Sequence, residues 1–157
     1  MGDNIKPKGY LFMVDLLQIF FWTSSLITLI IIFLIGSNEE KFGITALILG
    51  TLTTTASYWT LQDEPKYFNL SLLFFDTILL IILILFCLKS RKFWPIWVSS
   101  FHLIAVLTHI SHLLLNESLI RAYSLLQGFW VYPMYISMIL GAYGYRKAMM
   151  KKKQIST

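Results

Sequence analysis

Apolar residues in this chain come in blocks separated by short polar runs, each block about the length that crosses a hydrocarbon core of roughly 30 Å. The first lies within Tyr10 to Ile35 and closes at Gly36, Ser37, Asn38, Glu39, Glu40 and Lys41. The second, Phe42 to Leu61, stops at Asp63, Glu64, Pro65 and Lys66. The third, Asn69 to Leu88, ends at Lys89, Ser90, Arg91 and Lys92. The fourth, Trp94 to Leu115, carries Pro95 in its first turn, where a missing backbone donor does no harm. The fifth runs from about Leu119 to Tyr145 and contains Pro133. Backbone groups in lipid must be satisfied within their own segment, so each block predicts a helix. The pattern therefore predicts an all-α polytopic transmembrane bundle of five spans, forming one integral membrane domain over residues 1–157. Four spans plus a re-entrant segment is the alternative, because Thr51, Thr53, Thr54, Thr55 and Ser57 make the second block the least apolar.

Composition strengthens the membrane reading. The chain is 57% hydrophobic and only 13% charged, against about 25% charged in ordinary soluble domains. A soluble chain of this size buries only about two-thirds of its surface and has no room to hide so much apolar area. The first apolar run exceeds a signal-peptide core and is expected to be retained. The net charge of +5 sits at the borders of the blocks, where it suits anionic lipid and topology. No basic soluble module is present, which argues against nucleic acid as a partner. The single Cys87 excludes an intramolecular disulfide and paired-cysteine redox chemistry.

Lysine and arginine placement orients the bundle, since cytoplasmic borders collect the excess. With five spans, one side gathers Lys41, Lys89, Arg91, Lys92, Arg146, Lys147, Lys151, Lys152 and Lys153, and the other Lys6, Lys8, Lys66 and Arg121. The C-terminus is expected in the cytoplasm and the N-terminus outside. The re-entrant alternative brings Lys6 and Lys8 inside without moving the last three spans.

Small residues at helical spacing, Ala46, Gly50, Thr54 and Ser57 on the second block and Ser137, Gly141 and Gly144 on the fifth, read as seams where helix backbones approach closely. The tryptophans Trp22, Trp59, Trp94, Trp97 and Trp130 mostly fall near block ends, as interfacial anchors do.

The candidate chemistry lies in the third and fourth blocks. All three histidines, His102, His109 and His112, fall on the fourth. At about 100° per residue, His109 lies within about 20° of His102 around the helix, and His112 within about 80°. Leu103, Leu107, Ile110 and Leu114 occupy the other side, so one face is polar along its length. Asp76 is the isolated acid of the third block. The two blocks form an antiparallel hairpin around Ser90 and Arg91, and equal distance from that turn puts Asp76 level with Ala105 or Val106, between His102 and His109. Ionisable groups in hydrocarbon are costly and usually face a protein interior with a purpose. Asp15 and Gln18 of the first block and Gln127 of the fifth fall near the same depth, with Arg121 just above.

Such a cluster suits a proton relay, which needs only titratable groups in a chain. His109, His112 and Asp76 also form a candidate set for a transition-metal ion, since imidazole and carboxylate suit zinc, iron, manganese and copper. Haem through one histidine is a further option, but bis-histidine ligation needs a second histidine helix, which the chain lacks. The alternative reading of the polar face is hydrogen bonding between helices, each bond contributing about 1 kcal/mol. No nucleophile elbow, paired carboxylates or phosphate loop points to an enzyme.

The stretch Lys89-Ser90-Arg91-Lys92-Phe93-Trp94-Pro95-Ile96-Trp97, the following His109, then Arg121-Ala122-Tyr123 and Trp130-Val131-Tyr132-Pro133, resembles small inner-membrane proteins of alphaproteobacteria across roughly Asp76 to Gly141. That group has no established activity to carry over, and the resemblance implies location in a bacterial inner membrane. The expected function is a small integral membrane protein whose Asp76–histidine cluster relays protons or binds a metal ion or small ligand. The alternatives are a non-catalytic accessory or assembly subunit of a larger membrane complex, and a holin-like or stress protein. Expected partners are the lipid bilayer, other membrane subunits or further copies of the chain.

Overall fold

A computed structural model describes the backbone of residues 8–61, 63–114 and 128–155, with the side chains of residues 8–15, 65–66 and 112–114 outside the description. The described chain is all helix and turn: α1 (Lys8–Ile35), α2 (Asn38–Leu61), α3 (Pro65–Lys89), α4 (Trp94–Leu114) and α5 (Val131–Ile155). Two segments, Leu16–Ile35 of α1 and Tyr67–Lys89 of α3, are long and apolar enough to cross a membrane. The other three helices fall short of that measure, so the expected five spans reduce here to five described helices, two of them with a segment apolar enough to span. The reason lies in their residues. Threonines interrupt α2, serines and histidines interrupt α4, and α5 runs ten residues past Tyr145 through Lys147 and Lys151 to Ile155.

Helix α2 starts four residues before the expected Phe42, because Ser37 and Glu40 cap it. The Glu40 carboxylate accepts the Ser37 backbone N–H at 2.8 Å, and the Ser37 hydroxyl oxygen accepts the Glu39 N–H at 3.3 Å. This is a capping box, which satisfies donors that a helix N-terminus otherwise leaves open. The signal stood in the chain as Ser37-x-x-Glu40. Glu39 and Glu40 in the first turn also suit the positive end of the helix dipole. Pro65 occupies the first turn of α3, and the Ser90 N–H closes its far end on the Phe86 carbonyl at 2.9 Å.

Neighbours in sequence pack as hairpins, α1 on α2, α2 on α3 and α3 on α4; α5 lies against α4 and α1 and also touches α2. The helices therefore close a ring. Its densest core gathers Ile32, Ile44, Leu47, Leu79, Leu83, Trp94, Val98, Met134, Tyr135, Met138 and Ala142. Trp94, expected as an interfacial anchor, is instead 4% exposed within this core. Gly43 of α2 and Gly141 of α5 make its slot: a Cβ on Gly43 would lie 2.6 Å from the indole, and one on Gly141 would collide with its pyrrole edge. Among the described residues the Trp94 indole N–H has no hydrogen-bond partner, so shape alone holds the ring. Gly50 likewise admits Leu79 of α3. Gly144, expected in the α5 seam, faces open space.

Candidate functional site

Asp76 meets two histidines through two different groups. Its carboxylate Oδ2 lies 2.8 Å from His109 Nε2, and its backbone carbonyl lies 3.0 Å from His102 Nε2. The helices dictate this division. In an α-helix the Cα–Cβ bond tilts toward the N-terminus while carbonyls point toward the C-terminus. Because α3 and α4 run antiparallel, the Asp76 side chain reaches His109 on the later turns of α4, and its carbonyl reaches His102 on the earlier ones. Seven residues separate the histidines, about 10 Å along the axis, which one carboxylate could not bridge alone.

The chemistry of each contact follows. A carbonyl oxygen only accepts, so His102 Nε2 carries the hydrogen and donates it; in the neutral ring its Nδ1 is then an acceptor. His109 Nε2 donates to the Asp76 carboxylate, an arrangement open to proton exchange between acid and imidazole. His102 is 5% exposed, and the His109 and Asp76 side chains are 12% and 16% exposed. The pair is nearly enclosed yet retains an opening.

That opening is a cavity of about 340 Å³ that reaches all five helices. Gln18 and Trp22 line it from α1; Thr51, Thr54 and Thr55 from α2; Asp76 from α3; His102 and His109 from α4; Val131 and Met134 from α5. The α2 threonines entered the sequence reading only through Thr54 in a seam and through the low hydropathy of their block. Their period, with Gly50 beside them, was the available signal for a polar wall. Asp15 lies in α1, but its side chain falls outside the described residues, as does that of His112 in α4; Gln127 and Arg121 lie wholly outside them. The metal set His109, His112 and Asp76 therefore rests on a side chain outside the description, and among the described residues no group of three His, Cys, Asp or Glu side chains is placed to hold a metal.

No protein-family model, curated protein or solved structure matches this chain. Its function has to be read from its own geometry.

A second polar junction lies near the α3–α4 turn. Lys92 Nζ sits 2.8 Å from Glu40 Oε1 and also donates to the Ser37 hydroxyl, tying that turn to the start of α2. Ser90 donates to Glu39 alongside. Burial pushes the Glu40 carboxyl up, but the hydrogen bonds from Lys92 and from the Ser37 side chain and backbone, with the Lys92 charge, outweigh it and hold the group below the usual carboxylate range. Sequence reading took these residues as border charges. On the outer face of α4 and α5 runs a larger groove of about 710 Å³, lined by Trp97, Phe101, Ile136 and Leu140 among others. It is largely apolar, reaches Lys92 and shares no lining residue with the cavity at the acid–imidazole pair.

Proposed function

We propose that this chain is a small integral membrane protein of five helical spans, C-terminus cytoplasmic, in a bacterial inner membrane, and that its Asp76, His102 and His109 cluster relays protons at a ligand-sized cavity. The carboxylate–imidazole contact at 2.8 Å on the wall of that cavity carries the reading. Intramembrane ionisable groups that face a cavity and pair with one another mark proton and ion pathways.

The outer surface supports the membrane setting. Leu34 and Leu88 are each 77% exposed, and large apolar side chains cover the outward faces of α1, α3 and α4. Soluble monomers rarely expose contiguous apolar patches beyond a few hundred Å². The two apolar segments have only 17% and 22% of their residues buried, unlike the core helix of a soluble protein. Several polar side chains, among them Ser25, Thr28, Ser57, Ser99, His102 and Thr108, are buried while large apolar ones face outward. That arrangement suits a bilayer.

Purified protein in liposomes loaded with a pH-sensitive dye tests the relay. Wild type is expected to dissipate an imposed pH gradient, and His109→Gln, which keeps a hydrogen-bonding side chain but cannot titrate, is expected to leave it standing. Equal proton flux through both proteins would reject the relay.

A further inference from the structure

The α2 and α3 side of the cavity wall is rich in acceptors, and this points to a ligand class. The hydroxyl hydrogens of Thr51, Thr54 and Thr55 are all committed to carbonyls one turn back, those of Leu47, Gly50 and Thr51, at 3.1, 3.1 and 2.9 Å. What remains at each threonine oxygen is lone pairs. The His102 Nε2 hydrogen is committed to the Asp76 carbonyl, leaving Nδ1 to accept. Among the described residues that line the cavity, Asp76 supplies the one carboxylate, and neither lysine nor arginine is present. An anion would meet lone pairs and a carboxylate there. A neutral acceptor could use the Gln18 amide and Trp22 indole hydrogens of α1, but it would leave Asp76 and the threonine oxygens without a donor.

Size and the apolar remainder narrow the class further. A volume of about 340 Å³ corresponds to roughly ten waters at about 30 Å³ each, more than a proton or bare alkali ion needs. Much of the rest of the wall is aliphatic, with the Phe21 and Trp22 rings among its members. Aromatic faces tolerate a cation where aliphatic surface does not. One carboxylate balances one positive charge, and several acceptors around it match the several N–H donors of an ammonium group.

From this arrangement we propose that the cavity binds a small monovalent organic ammonium ion, its N–H donors on Asp76 and the α2 threonine oxygens and its hydrocarbon part against the apolar wall. The inference rests on the reading that the Asp76 cavity is a working site, and adds the chemical class of what enters it.

Titration calorimetry on the full chain in detergent, using benzylammonium, benzyl alcohol and benzoate as probes of one shape and three charges, tests it without any variant. Benzylammonium is expected to bind at least tenfold more tightly than the other two. Thr51→Val and Thr55→Val, which remove acceptors while keeping volume, are expected to weaken it about threefold or more each, and Asp76→Asn to abolish the preference. Equal binding of all three probes, or tighter binding of benzoate, overturns the proposal; so does wild-type ammonium affinity in both threonine variants. The liposome assay separates the two readings. Proton flux without ammonium preference removes this inference and leaves the relay, whereas ammonium preference without flux keeps the inference and removes the relay.

Discussion

Among the described residues, two acid–base pairs join neighbouring elements of this bundle, and their surroundings differ. Glu40 is 0% exposed and receives Lys92 together with the Ser37 hydroxyl and backbone N–H. The tightest part of the core, the Trp94 slot between Gly43 and Gly141, lies close by. Asp76 meets two histidines instead, beside a cavity that reaches every helix. Lys92 reaches Glu40 from the wall of the larger outer groove, which Trp94 and Gly141 also line, but the Glu40 carboxylate itself is sealed and its partners are fixed, so its part is to hold the fold together. A pair of titratable groups on the wall of a void can change state and meet a ligand. On the proposed function, the bundle keeps its cohesion at one end and its chemistry at the other.

The largest expected effect belongs to the cohesive end. Lys92→Ala leaves the Glu40 carboxylate buried without its counter-charge, and breaking such a pair typically costs about 3–5 kcal/mol. Unfolding in mixed detergent micelles should show that loss, while proton flux per folded molecule stays at the wild-type level. A drop in flux among folded molecules would tie the two ends together and break the contrast.

Gly43→Val comes next. Its side chain would press on the Trp94 ring and on Met138, and such overpacking costs about 1–3 kcal/mol. The same unfolding measurement checks it, and a stability unchanged from wild type would mean the slot is not as full as its geometry implies.

Acid should weaken the Glu40 junction. Its carboxyl is held below its ordinary value of 4.5, so its contribution is fully present above that pH and disappears as pH falls through the lowered value. Melting temperatures in detergent are expected to decline on acidification below pH 4.5, with a shallower decline in Glu40→Gln. Parallel slopes in the two proteins would show that other carboxylates govern the acid limb.

His109→Gln sharpens the comparison from the other side. Interhelical hydrogen bonds in membranes contribute about 1 kcal/mol or less, so stability should barely change while flux is lost. A variant strongly destabilised by this change would place the Asp76 pair among the cohesive contacts. The smallest effect is expected at Gly144→Ala, within about 0.5 kcal/mol of wild type, because a Cβ there meets nothing within 4 Å.

Much of this arrangement was legible in the chain. Polar interruptions marked the helix ends to within a few residues for α1, α3 and α4, because a turn needs polar or helix-breaking residues wherever it occurs. The nearness of Asp76 to His102 and His109 followed from counting equal distances along a tight hairpin. Less legible was the start of α2, where Ser37-x-x-Glu40 looked like loop charge until the cap bonds gave it a role. The α2 threonines and Trp94 were misjudged for a common reason. Hydropathy reports which residues a helix carries, but not how the helix is rotated about its own axis against its neighbours.

By itself, then, the sequence determined the helical character of the described chain, the levels of Asp76, His102 and His109 along their hairpin, and the wealth of apolar surface, since each depends on local spacing and composition. It did not bound the last helix, expected over Leu119 to Tyr145 and found over Val131–Ile155 after a turn at Trp130. Tertiary structure alone decided that Trp94 turns inward, that Glu40 is sealed under Lys92, that Gly144 looks onto open space, and that three threonines line the same cavity as Asp76. In water, the apolar face of a helix announces where the core lies. Where the outer surface is as apolar as the interior, that contrast vanishes, and only contact with the neighbouring helices chooses which face turns in.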